Sequence, residues 1–387
     1  MSALAVATGS VNLGQGFPDV DGPQAAIRRA VAALESGANQ YAPGPGVPAL
    51  REAIARHQQR HYRMDLDPMT EVVVTTGATE GIAAAMLALV EPGDEVVVLE
   101  PYYDSYLATI QMAGGVRRPV TLSLDGSPDA TPGGRLDPAA LRAAITPRAR
   151  LILLNSPHNP TGTVLSRAEL QAVADAAIEH DLLVVTDEVY EHLTFGVAHV
   201  PIATLPGMWE RTLTLSSIGK SYSFTGWKVG WATGPAELVG ALLAAKQWLT
   251  FTSGAPLQPA AAYALDELGQ WPVELAASLR DRRDLLCAGL SDVGLDVRVP
   301  EGTYFAVTDI SRLGWADGDA FCRALPERAG VVAIPLQGFY DPPTDSGRRS
   351  GAGRHLVRWT FCKRPEVIEE ALGRLGKADL RARDQER

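Results

Sequence analysis

The run Ser216-Ser217-Ile218-Gly219-Lys220-Ser221-Tyr222-Ser223-Phe224-Thr225-Gly226-Trp227-Lys228-Val229-Gly230-Trp231 sets one lysine in a small-residue, hydroxyl-rich loop, with a second lysine eight residues later. A lysine that condenses with a carbonyl needs an approachable amine, and a nearby cation helps to lower its pKa. A phosphate-bearing cofactor needs fixed cations and hydroxyls around its anionic end. Both needs are met within this run. Alone, it also suits a solvated loop, where Lys, Ser and Gly are common, so its meaning depends on the rest of the chain.

The chain has 387 residues, enough for a large core divided into two or three domains or subdomains. Its hydrophobic share of 46% and charged share of 21% are those of an ordinary globular enzyme. A formal charge of −10 argues against a dedicated nucleic-acid binder and gives no polybasic membrane signal. The opening MSALAVATGSVNLGQG has neither a charged n-region nor a long apolar h-region, so a cytoplasmic protein is expected. Cys287, Cys322 and Cys362 are widely spaced, and neither a disulfide nor a metal ligand set is expected from them.

From residue 72 short apolar runs alternate with amphipathic stretches. Strands are expected at Val72–Thr75, Glu95–Leu99, Leu151–Asn155, Leu183–Thr186 and Thr212–Leu215. Helices are expected at Thr79–Val90, Asp104–Ala113 and Arg167–His180. Continuous apolar strands between helices point to an α/β sheet covered on both faces, with ligands bound at the carboxyl ends of its strands. From Pro235 to about residue 292 the chain reads as helical. Beyond it come strands at Tyr304–Thr308, Val331–Ile334 and Leu356–Phe361, and helices at Asp319–Ala324 and Pro365–Leu375, the pattern of a smaller α+β domain. Pro342–Arg354 reads as a mobile loop, and the charged tail from Lys377 as a frayed end.

The polar motifs sit where these strands end. Gly77-Ala78-Thr79-Glu80 opens a helix, whose free N–H groups suit a phosphate; a plain turn with Thr79 as the N-cap competes. Asn155-Ser156-Pro157-His158-Asn159-Pro160-Thr161-Gly162 is a rigid loop that aims the Asn159 amide at a ligand or closes an Asx-turn; His158 reads as structural. In Asp187-Glu188-Val189-Tyr190, a carboxylate at a strand end wants a cation such as a protonated pyridine, unless Asp187 is a helix N-cap. Tyr103, in Glu100-Pro101-Tyr102-Tyr103-Asp104, can stack on a ring or belong to the core. Arg358, set among apolar neighbours in His355–Phe361, wants a carboxylate, from a ligand or from a structural ion pair.

Taken together, Gly16-Phe17-Pro18-Asp19, Gly77-Ala78-Thr79-Glu80, Asn159-Pro160-Thr161-Gly162, Asp187-Glu188-Val189-Tyr190, Ser217…Lys220…Lys228 and Arg358 resemble the class I/II aminotransferases, fold-type I enzymes dependent on pyridoxal 5'-phosphate. The motifs stand in the family's order over nearly the whole chain. Within the family, VNLGQGFPD, NQYAPGPGVPALREAI, NSPHNPTG, DEVYEHL and LVRWTFCKR are most similar to kynurenine/glutamine transaminase-like and actinobacterial N-succinyldiaminopimelate aminotransferases.

The resemblance implies a large domain with a mostly parallel seven-stranded sheet over residues 36–265, a smaller domain over 266–387, and an N-terminal segment, 1–35, packed with the latter. It implies that Lys220 carries the cofactor, that Asp187 pairs with its pyridine nitrogen, and that Tyr190 and Asn159 bind the ring oxygen. Tyr103 would stack on the ring, while Ala78, Thr79, Ser217 and Lys228 hold the phosphate. Arg358 would clamp the substrate α-carboxylate with Asn159 and the Gly16 backbone. Tyr41 would reach the phosphate of a neighbouring subunit, which makes the expected protein a homodimer with shared sites. The expected reaction moves an amino group from an L-amino acid to a 2-oxo acid, with a carbon–sulfur β-lyase as the alternative. N-succinyl-LL-2,6-diaminopimelate, methionine, glutamine, kynurenine and aromatic amino acids stand open as donors.

Against this family, the chain starts near the GFPD segment, so the relatives' longer N-terminal arm is expected to be largely missing. Ile218 and Phe224 replace smaller residues and are expected to narrow the pocket, and Pro342–Arg354 looks specific to this chain. No GxGxxG follows the first strand, which disfavours a nicotinamide enzyme.

Overall fold

A computed structural model describes residues 2–124, 134–341 and 353–383. After β1 (Val11–Asn12) come β2 (Val72–Thr75), β3 (Glu95–Glu100), β4 (Val116–Thr121), β5 (Ala149–Asn155), β6 (Leu183–Asp187), β7 (Thr212–Ser217) and β8 (Gly230–Thr233). These seven form one sheet in the order β2-β8-β7-β6-β5-β3-β4, parallel except for β8, which runs antiparallel to both neighbours. The doubly covered α/β sheet expected from the sequence is therefore present.

The period of two along each strand explains the two covered faces. Val96, Val98, Leu151, Leu153 and Val185 meet the helices Gly77–Leu89, Asp104–Met112 and Ala236–Lys246 on one side. Val97, Leu99, Ile152, Leu154 and Val184 meet the helices Pro138–Ala144 and Arg167–Glu179 on the other. Every residue of β3 is buried, which is why its sequence shows a continuous apolar run without alternation. Strand β4, VRRPVT, carries no such signal because it lies at the sheet's edge, where Pro119 and the arginines are tolerated. The helix Pro48–Tyr62 packs with Gln24–Glu35 and Gln258–Glu267 on a further core containing Leu50, Ile54, Ala261 and Leu265.

The C-terminal part adds β9 (Asp296–Arg298), β10 (Phe305–Asp309), β11 (Val331–Val332), β12 (Ile334–Pro335) and β13 (Leu356–Thr360). Four of these make an antiparallel sheet, β12-β13-β10-β9, while β1 pairs in parallel with β11. The single strand expected at Val331–Ile334 is thus divided at Ala333 between two sheets. Over its described residues, to 383, the charged tail does not fray as expected: Leu380 and Ala382 are buried, and the Trp315 indole donates to the Leu380 carbonyl at 2.8 Å. Most of the loop expected at Pro342–Arg354 lies outside the described residues. Among those described, no helix is long and apolar enough to cross a membrane.

Candidate active site

A cavity of about 270 Å³ opens between the C-terminal ends of β5, β6 and β7 and the strands β10 and β13. Gly16, Ala78, Thr79, Tyr103, Asn159, Asp187, Tyr190, Ser217, Lys220, Lys228 and Arg358 all line it. Tyr41 does not; its side chain is 83% exposed and meets Phe251 edge-on, ring centroids 5.3 Å apart. Ile218 and Phe224 do not narrow the cavity as expected. Both are buried in the core beneath it, Phe224 stacked on Trp227 with centroids 3.8 Å apart.

Lys220 stands on the single turn Ile218–Ser221 that follows β7. Its Nζ donates to Tyr304 Oη at 3.1 Å, and that hydroxyl donates to the Gly16 carbonyl at 2.6 Å. Burial pushes the amine down to about 8; Cys362 and Asp187 pull the other way, while Lys228 and Arg358 add to the lowering. The amine thus titrates close to physiological pH, where a share of it is the neutral nucleophile.

Asp187 ends β6 and starts no helix, so it is not an N-cap. Tyr106 donates to its Oδ2 at 2.8 Å, the Val189 amide donates to Oδ1 at 3.3 Å, and Asn155 Nδ2 donates to its carbonyl at 2.7 Å. Burial raises the carboxyl pKa despite these donors. A buried carboxylate of this kind is completed by a cation.

Asn155 also fixes the next loop, donating to the Pro157 carbonyl at 3.2 Å and accepting from the Asn159 amide at 2.8 Å. The Asx-type bond therefore belongs to Asn155, which leaves the Asn159 side chain free to face the cavity. The bonds before Pro157 and Pro160 are both cis. His158 is buried outside the cavity, bonded to Thr161 at 2.8 Å, and burial holds its imidazole down at about 3, in keeping with a structural role.

Arg358 donates through Nη1 to Asn159 Oδ1 at 2.9 Å and through Nη2 to the Gly14 carbonyl at 3.1 Å. Its guanidinium lies 4.0 Å above the Phe305 ring, and its Nε is buried without a partner. Burial lowers its pKa to about 10. Among the described residues no carboxylate lies within ion-pair distance of it, so the structural ion pair left open by the sequence is not formed.

The helix Gly77–Leu89 presents its first N–H groups to the cavity with no side-chain cap, and Thr79 lies within the first turn rather than at the N-cap. Gly77 has φ +72, and a Cβ there would stand 3.0 Å from Lys228 Nζ, so glycine admits the lysine to the helix end. Ser217 and Thr79 flank the same place. Positive helix end, lysine and hydroxyls together form an anion cradle.

Residues 8–375 match the family described as aminotransferase class I and II. The chain belongs to this family. The aminotransferase is 53% identical over 377 residues to the probable N-succinyldiaminopimelate aminotransferase DapC of Mycobacterium tuberculosis, covering 97% of this chain and 94% of that protein. It is 38% identical to the kynurenine–oxoglutarate transaminase of Dictyostelium discoideum, covering 96% and 91%. The solved N-succinyldiaminopimelate aminotransferase from Mycobacterium tuberculosis superposes with a TM-score of 0.92, covering 97% of this chain and 95% of that one. These relatives are transaminases, so the β-lyase alternative is not favoured.

Enzymes of this family use pyridoxal 5'-phosphate, and the cavity suits it: an amine of lowered pKa, a carboxylate in want of a cation, and a cradle for a phosphate. Three groups in the aminotransferase went unassigned in the sequence. Tyr106 falls three residues after Tyr103, on the same helix face, and that spacing was the available signal. Asn155 lay within a quoted motif without a role. Tyr304 reaches Lys220 across 84 residues of chain, and no local pattern announces it.

Proposed function

We propose that the aminotransferase takes the amino group of N-succinyl-LL-2,6-diaminopimelate and passes it to a 2-oxo acid such as 2-oxoglutarate, in a ping-pong cycle. The observation that carries the transfer reading is Arg358, a buried guanidinium that has no carboxylate partner among the described residues and faces the cavity that holds Lys220. The choice of donor rests on the 53% identity to the mycobacterial relative.

In this proposal Ala78, Thr79, Ser217 and Lys228 hold the cofactor's phosphate, Asp187 pairs with its ring nitrogen, and Asn159 and Tyr190 bind its ring oxygen while Tyr103 covers a face. Bound there, pyridoxal phosphate supplies an aldehyde for the substrate amine and an electron-accepting ring that acidifies the Cα–H bond. Arg358 grips the α-carboxylate, Asn159 and the Gly16 backbone steady it, and the Cα–H bond is turned toward Lys220. Lys220 Nζ then removes the Cα proton and returns it on the other side of the transferred nitrogen. Tyr304, whose hydroxyl accepts from Lys220 Nζ at 3.1 Å, keeps the lysine amine aimed. Tyr41, exposed in its own chain, serves the phosphate of a second copy, so the working unit is a homodimer in the cytoplasm.

Single-turnover absorbance of the cofactor-loaded enzyme against a panel of amino acids tests the donor. N-succinyl-LL-2,6-diaminopimelate should convert the bound chromophore fastest. Faster conversion by methionine or kynurenine would replace the donor, and no conversion by any amino acid would end the transfer reading.

A further inference from the structure

Away from the cavity, three imidazoles converge. His57 and His61 stand four residues apart on the helix Pro48–Tyr62 and so share one face of it. His192 comes from the segment that follows β6, five positions beyond Asp187. One nitrogen from each lies within 4.8 Å of the others, and the Nε2 atoms of His57 and His192 are 2.7 Å apart. The His61 ring centroid is 4.6 Å from that of His57 and 4.7 Å from that of His192. His57 is buried, His192 half-buried and His61 exposed, so the group is anchored inside and open to solvent at one corner. None of the three lines the cavity of Lys220.

Two ring nitrogens at 2.7 Å share one hydrogen, so one of them presents a lone pair. Neutral imidazole nitrogens of this kind are what ligate metals. Beside them Glu191 is buried, accepting from Tyr62 Oη at 2.7 Å and from Ser216 Oγ. A buried carboxyl held by two hydroxyl donors, next in the chain to His192, therefore adjoins the three imidazoles.

We propose that His57, His61 and His192 form a site for one divalent transition cation of the zinc class, with water in the fourth position and Glu191 as its counter-charge. Imidazole donors suit zinc, nickel, cobalt or copper rather than magnesium or calcium, which want oxygen. Zinc–nitrogen bonds of about 2.1 Å set tetrahedral ligand nitrogens roughly 3.4 Å apart. The close His57–His192 contact opens slightly to admit the ion, and the exposed His61 ring turns inward to close the longer gap. The ion takes the place of the shared hydrogen, which moves as the donor ring adopts its Nδ1–H tautomer, and ties the helix Pro48–Tyr62 to the segment carrying Asp187 and Tyr190. It braces that segment and touches no substrate.

The test uses chelator-treated enzyme with its pyridoxal phosphate retained, titrated with zinc chloride by calorimetry at neutral pH. One zinc should bind per chain, saturably, and the thermal midpoint should rise. His61→Ala, at the exposed corner, should weaken binding at least about tenfold, the loss that even an outer partner's removal brings, and should cancel the rise. His180→Ala, an exposed histidine outside the cluster, should change neither. His192→Asn repeats the measurement from the inner side. Less than one zinc per chain, or equal affinity in the parent and His61→Ala, would overturn the site. The variants leave the cavity lining untouched, so such a failure would not count against amino transfer.

Discussion

Tyr106 lays its hydroxyl 2.8 Å from Asp187 Oδ2 in the wall of the cavity. The bond lowers the carboxyl pKa against burial, which raises it. A hydrogen bond to a charged group is worth about 1.5–3 kcal/mol. Tyr106→Phe should therefore weaken cofactor binding about tenfold or more, measured by equilibrium dialysis, and lower kcat with little change in substrate KM. An unaltered cofactor affinity would show that Asp187 stays ionised without this donor.

Lys220 has its amine lowered from 10.5 to about 8. The neutral amine is the nucleophile, so the rate at which the cofactor-free enzyme takes up pyridoxal phosphate should climb with pH to a midpoint near 8 and level off above it. Stopped-flow absorbance reads this directly. Lys220→Ala should abolish both the covalent uptake and turnover, and borohydride treatment of the loaded parent should label the peptide that contains Lys220. Absence of that label would remove Lys220 from the chemistry.

The Arg358 fork is matched to a planar carboxylate, a match that the lysine ammonium cannot reproduce. Arg358→Lys should lower kcat/KM for amino acids about a hundredfold or more, mostly through KM, the loss of one or two charged hydrogen bonds. The discrimination between an amino acid and the corresponding amine lacking the carboxylate should shrink in parallel. Steady-state comparison of such a pair checks it, and an unchanged ratio would place the carboxylate elsewhere.

At Gly77 the backbone is left-handed, φ +72, and Lys228 Nζ occupies the room that a methyl would need. Gly77→Ala should cost about 1–2 kcal/mol in stability and push the lysine from the helix end. Thermal unfolding of the cofactor-free chain reads the first effect, and the dissociation constant for inorganic phosphate the second. Normal phosphate binding would mean that the anion sits away from this turn.

Much of this site was legible in the chain because its parts are local. Gly77-Ala78-Thr79 and Asp187 each follow an apolar strand, and a strand end is recognisable from its own few residues. Strand β4 and the antiparallel β8 were missed for opposite reasons. VRRPVT is an edge strand whose polar residues need no burial, and Gly230–Thr233 is too short to show a period. Ile218 and Phe224 were misplaced because their side-chain direction depends on the backbone path after β7, which sends both into the core.

The amino-acid sequence alone determined which strands are buried on both faces, where they end, and which lysine, aspartate and arginine come to line one cavity. Burial pattern and turn residues act over a few neighbours, so they are written locally. Only the folded chain decided that Tyr304 would hold Lys220, that Asn159 would meet Arg358 across 199 residues, and that His192 would join His57 and His61. Those pairings follow from strand order and packing between distant segments, and no spacing along the chain encodes the distance at which two such segments finally meet.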